Sequence, residues 1–258
     1  MAGPHVHVPY SRIPEYADFI KENRLNLEIY FGSASLDSVS LDEIKRLNET
    51  LDYGPSLSIH APFMDLSPAA VDSKVRTVTM ERFCQVLDVA EIIRPEAIVF
   101  HSGYEKWKYA LDVDFWLEKS LLTWQPLNKR ASEIGVKIAI ENIFEDDPSN
   151  LKLLVEHMDS GNFGICFDTG HCNLFSRVPL ADWMDALNPF IMELHIHDNN
   201  RSSDQHLPPG DGTFDFAGLF RLLCRSDCVH TIEAHTPEHV LKSMSYLQAK
   251  GISSGSGG

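Results

Sequence analysis

Eight times along this chain a short run rich in Ile, Val, Leu or Phe is followed by a longer stretch of helical periodicity. The strand-like runs cover 5–9, 25–31, 56–62, 97–103, 137–142, 163–168, 191–198 and 230–235. The helix-period stretches cover 12–22, 39–50, 71–93, 113–134, 149–159, 179–188, 215–225 and 237–249. Apolar runs bounded by Gly, Pro, Asn or Asp suit buried parallel strands, whose crossovers are helices. Ser40 ahead of Asp42 and Glu43, Ser149 ahead of Leu151, and Thr236 before Pro237 mark helix starts. Eight such pairs with no linker composition predict an α/β fold, a single (β/α)8 TIM barrel over residues 1–250. A doubly wound open sheet is the alternative, but no glycine-rich phosphate loop follows the first strand. The tail 251–258, GISSGSGG, reads as a flexible end outside the fold.

The second constraint is where the polar residues fall. His60, His101, Glu141, Asp168 and Glu233 each close or nearly close an apolar run, His195 sits near the end of the seventh, and His171 follows Asp168 by three. In a barrel these ends converge on one mouth. A lone histidine or acid at a strand end is commonly a hydrogen-bonded core residue or a helix cap. Seven of them facing one low-dielectric cavity are costly unless a cation neutralises them, and mixed imidazole–carboxylate sets suit Zn, Mn, Fe or Co. The stretch 195–206, HIHDNNRSSDQH, adds Asp204 and His206. An Asp-x-His pair in extended backbone points both side chains the same way. Arg201 lies between His195 and that pair, as an anion anchor in an acidic lip.

The motifs IHAP, FHSG, IEN, FDTGH, LHIHD and DQHLPPGDG, in that order across residues 57 to 234, resemble the xylose isomerase-like TIM-barrel superfamily. That superfamily contains endonuclease IV (the family 2 AP endonucleases) and sugar-phosphate isomerases and epimerases. The resemblance implies two ligand sets. An endonuclease IV-like cluster of two or three zinc ions would use His60, His101, Glu141, Asp168, His171, His195, Asp204, His206 and Glu233. An isomerase or epimerase would hold a single Zn, Mn or Co ion on Glu141, Asp168, His195 and Glu233. His171 and Arg201 would then contact the substrate.

Charge favours the second branch. The formal net charge is −15, no basic run offsets it, and Asp65 stands in HAPFMDLSP, the segment where the endonuclease branch enters DNA. A nucleic-acid partner is therefore disfavoured, and the expected substrate is a sugar or sugar phosphate. The expected chemistry is proton transfer by Glu141 and Glu233 beside the metal, with His171 steadying developing charge. Arg201, His197, Glu28 and Lys106 are the expected substrate contacts. Phosphoester hydrolysis by a multi-zinc cluster is the alternative; a barrel that only binds a partner is a third reading, disfavoured by the intact acid pair. The odd cysteine count, without a signal-like N-terminus or an 18-residue apolar segment, points to a reduced, cytoplasmic setting away from membranes. A homo-oligomer is compatible with this surface.

Overall fold

The computed structural model describes residues 3–224 and 227–251. Residue 225 of the expected seventh helix and residues 252–258 of the expected tail lie outside the described residues. Eight parallel strands close into a barrel in the order β1 to β8. They are β1 His5–Pro9, β2 Asn26–Tyr30, β3 Leu57–His60, β4 Ala97–His101, β5 Lys137–Glu141, β6 Phe163–Asp168, β7 Ile191–Ile196 and β8 Val229–Ile232. The closing seam is thin: β1 pairs with β8 only at His5↔Thr231 and Val6↔Ile232.

The helices are α1 Ile13–Glu22, α2 Ser33–Ser38, α3 Leu41–Thr50, α4 Ser73–Ile93, α5 Val113–Glu133, α6 Ser149–Met158, α7 Thr169–Phe175, α8 Leu180–Leu187, α9 Phe216–Leu222 and α10 Pro237–Ala249. Two are additional to the sequence expectation. The stretch after β2 divides into α2 and α3, and the α7 turn grows directly out of β6 because Asp168 caps it, accepting from His171 N at 2.6 Å. Ser40 forms a full capping box with Glu43, and Thr236 caps α10 ahead of Pro237. Ser149 does not cap: α6 starts on it, with Pro148 in the preceding position.

The main core lies between the barrel and its helices, where Ile29, Ile98, Ile138, Ile165 and Leu194 meet Phe83, Trp124, Leu154 and Trp183. Inside the barrel, Val99, Ala139 and Cys166 form a small apolar plug. Because side chains alternate along a strand, the inward positions next above that plug are His101, Glu141 and Asp168. The apolar register therefore delivers the polar residues to the mouth.

Candidate metal centre

Glu141 stands at the middle of the mouth. Its Oε2 lies 3.2 Å from both His60 Nε2 and His101 Nε2, and its Oε1 lies 3.1 Å from His171 Nδ1. His60 Nδ1 donates to the Ala61 carbonyl at 2.8 Å. A carbonyl can only accept, so the proton sits on Nδ1 and the Nε2 lone pair faces a carboxylate. Two acceptors at that range need a positive charge between or upon them. Burial works against protonating His60, yet Glu141, by hydrogen bond and by charge, raises its pKa to about 8.

His195 follows the same logic. Its Nε2 donates to Glu28 Oε2 at 3.1 Å, leaving the Nδ1 lone pair buried with no hydrogen-bond partner among the described residues. Around that nitrogen stand Glu141 Oε1 and Asp168 Oδ2, each at 3.6 Å, and Glu233 Oε1 at 3.4 Å. A third group gathers at the lip. Asp204 Oδ2 lies 3.0 Å from His206 Nε2 and 3.4 Å from His171 Nε2, while Asp204 Oδ1 lies 3.6 Å from His197 Nδ1. All nine residues expected as ligands thus meet at one mouth, in three overlapping sets that share Glu141 and His171. Candidate metal-holding trios include His60–His101–Glu141, Asp168–His171–His197 and His197–His206–Glu233.

The electrostatics run one way. Burial opposes ionisation of Glu141, Asp168 and Glu233, but the surrounding imidazoles hold all three below the usual carboxylate range. His206 is raised to about 9 against its burial, chiefly by Asp204. A pocket of ionised carboxylates that draws protons onto its histidines has the donor set and charge demand that a divalent cation satisfies. The orphaned His195 Nδ1 and its three carboxylates fit one such ion directly.

The mouth opens into a cavity of about 650 Å³ bordered by His7, Phe63, His101, Tyr104, Glu141, Phe144, His171, Asp204 and Glu233. None of the four expected substrate contacts borders it. Glu28 is fully buried between two histidines, its Oε1 accepting from His7 Nδ1 at 2.7 Å. His197 is also fully buried, with Nε2 at 3.0 and 3.1 Å from the two Asp168 oxygens. Its ring lies so close over Gly170 that a Cβ there would come within 2.0 Å of His197 Cε1. Lys106 pairs with Asp146 at 2.5 Å, and Arg201 Nε donates to Asn173 Oδ1 at 3.0 Å. The lysine bordering the cavity is Lys108, held to Ser67 Oγ at 2.9 Å.

Three contributors stand outside the expected site residues. His7 reaches Glu233 Oε1 at 3.5 Å as well as Glu28; its signal is the HVHV alternation that points it inward with His5. Phe63 stacks on His101 with centroids 4.2 Å apart and fixes that ring's orientation. Asn142 locks β5 to β6, accepting from Asp168 N at 2.8 Å and donating to Asp168 O at 3.0 Å. The lip itself is strained, with Arg201 and His206 at φ of 66° and 48°, a backbone region that side chains disfavour.

The closed barrel and a mouth lined by imidazoles and carboxylates define a TIM barrel with a candidate metal centre. The chain belongs to the xylose isomerase-like TIM barrel family, whose model matches residues 19–250. It is 32% identical to the uncharacterized protein MJ1311 of Methanocaldococcus jannaschii over 225 residues, 81% of this chain and 75% of that one. Among solved structures it resembles the TTHB071 protein from Thermus thermophilus soaked with ZnCl2, at 26% identity and a TM-score of 0.78 over 95% of this chain and 96% of that one. A D-tagatose 3-epimerase-like protein matches at 26% identity and a TM-score of 0.77, with the same coverage.

Proposed function

We propose that this protein is a metal-dependent isomerase or epimerase of a sugar or sugar phosphate. The observation carrying the proposal is the buried, unpartnered His195 Nδ1, with carboxylate oxygens of Glu141, Asp168 and Glu233 at 3.4–3.6 Å. These four residues would hold one divalent ion, Zn, Mn or Co. When bound, the ion supplies Lewis acidity toward a substrate carbonyl and its neighbouring hydroxyl. Glu141 on β5 and Glu233 after β8 stand on different sides of the mouth and act as the proton-moving pair, taking a C–H proton at one face and returning one at the other. His171, whose Nδ1 is tied to Asn142 O at 3.1 Å, turns Nε2 outward to hydrogen-bond the oxygen on which negative charge develops. Lys108, the lysine that borders the cavity, would meet a distal hydroxyl or phosphate. The likeness to a D-tagatose 3-epimerase-like protein supports the sugar class. Among the described residues no helix is long and apolar enough to cross a membrane.

The test incubates the protein with a panel of ketoses and their phosphates, and separately with an abasic-site duplex. Sugar turnover that EDTA abolishes and Mn or Co restores, with about one essential ion per chain, is the expected outcome. One observation favours a second reading: the complete nine-residue set gathers at the mouth, as a multi-zinc phosphoester hydrolase needs. Duplex cleavage without sugar turnover, at two or three zinc ions per chain, would establish that reading instead.

A further inference from the structure

Glu28 is used by neither catalytic reading, yet its placement is specific. It projects inward from β2, is fully buried, and accepts one hydrogen bond on each oxygen: His7 Nδ1 at 2.7 Å and His195 Nε2 at 3.1 Å. The two imidazoles lie on strands at opposite relations to the site. His195 presents its other nitrogen to Glu141, Asp168 and Glu233, while His7 borders the substrate cavity and stands 3.5 Å from Glu233. We propose that Glu28 is a positioning residue that sets the orientation of both rings at once, aiming His195 Nδ1 at the ion and the free edge of His7 at the substrate.

The physics is that of a carboxylate behind a ligating histidine. An anion accepting the far N–H fixes which ring nitrogen keeps its lone pair, stops ring rotation and raises ligand basicity. Here one carboxylate serves two rings, so ligand and substrate wall are registered to the same rigid point on a barrel strand. The rings cannot find other partners easily. His195 is fully buried and sealed beneath the mouth. The alternative roles are weaker: Glu28 does not border the cavity, so it does not touch substrate, and although it enters candidate trios with His7 and Glu233 and with Glu193 and His195, each of its oxygens already accepts from an imidazole.

The inference rests on the metal-binding reading, and the tests separate the two. In Glu28→Gln the shape is kept, but one oxygen becomes an amide N–H₂ that cannot accept. Co²⁺ affinity, measured by competition with a chelator and by the visible Co²⁺ spectrum, should fall about 10–100-fold, with circular dichroism unchanged. Glu28→Asp, one methylene shorter, should recover part of that loss. His7→Gln leaves the His195 arm intact and should keep wild-type Co²⁺ affinity while raising KM for sugar. In metal-free protein, proton NMR should show two downfield imidazole N–H resonances, His7 Nδ1–H and His195 Nε2–H, at least one of which disappears in Glu28→Gln. A folded Glu28→Gln that binds Co²⁺ within about twofold of wild type, or keeps both resonances, overturns the inference; so does loss of Co²⁺ affinity in His7→Gln. Wild-type protein that takes up no ion overturns the metal reading instead, and the NMR comparison still decides whether Glu28 clamps both rings.

Discussion

The two ends of the barrel interior are built from the same residue types and solve opposite problems. At the mouth, carboxylates are held ionised and histidines such as His60 and His206 are drawn toward the cation, at about 8 and about 9. At the floor, burial pushes His5 down to about 4 and raises Glu193 to about 8. The floor groups are neutral and lean on hydroxyls: His5 Nδ1 bonds Ser58 Oγ at 2.9 Å, and Glu193 Oε1 accepts from Ser58 at 3.2 Å and from Thr231. Polar residues inside a barrel can thus be tolerated by neutralisation among themselves or by an outside charge. What separates the two ends is the stoichiometry of acids to hydroxyl partners. The mouth has carboxylates in excess and no serine or threonine among the partners of Glu141 and Glu233, so the balancing charge must come from elsewhere.

One substitution made at each end tests that contrast most sharply. Glu233→Gln at the mouth should lower kcat by about 10²–10⁴-fold, the usual worth of a positioned acid or base. Glu193→Gln at the floor should leave kcat within about twofold and stability within about 1 kcal/mol, because a neutral carboxyl is exchanged for a neutral amide. The amide oxygen keeps the Ser58 and Thr231 bonds, and its nitrogen takes the place of Oε2, which has no partner among the described residues. Steady-state kinetics and urea unfolding on both variants check this. Equal damage at the two ends would break the contrast.

This pairing also shows what the sequence could and could not disclose. The barrel was legible because apolar runs of period two, alternating with helical stretches, leave few other folds. Most of the candidate ligands were legible because they close or nearly close an apolar run, as His60, His101 and Glu141 do. Glu193 and His195 differ by two positions on one strand and face the same interior, so alternation cannot tell floor from mouth; depth in the barrel decides it. Glu28 and His197 were misplaced against the substrate for the same reason, since an inward side chain one layer down looks identical in sequence. Lys106 was lost to Asp146, forty residues away, a contact that no local pattern encodes.

A smaller effect is expected just behind the mouth. Asp198 is fully buried, yet it needs no cation, because backbone N–H groups of Asn199, Gly210, Gly212 and Phe214 donate to it at 2.9–3.1 Å. It pins the loop that carries Asp204 and His206. Gly212 is required there, as a Cβ would lie 2.4 Å from Asp198 Oδ1. Asp198→Ala strands those donors and should cost about 3 kcal/mol in urea unfolding, with new protease cleavage between 199 and 212. If stability holds and the loop stays protected, the claim that backbone amides can stand in for a cation at this end is wrong.

The smallest effect is a pH dependence set by His5 at the floor and by His230, which faces Phe220 outside the barrel. His5 and His230 have folded-state pKa values of about 4, pushed down by burial, against an ordinary 6.5. The folded protein therefore prefers their neutral forms. Their contribution to stability is complete above pH 6.5 and drains away as pH falls toward 4, because the unfolded chain binds protons that the folded one refuses. Each drop, from 6.5 to about 4, corresponds to at most about 3 kcal/mol across that window. His230→Asn should flatten the acid-side decline in urea unfolding midpoints between pH 6.5 and 4, and His5→Gln should do the same. Zinc should not alter that slope, because neither residue touches the mouth; a zinc-dependent slope would mean that floor and mouth titrate as one network.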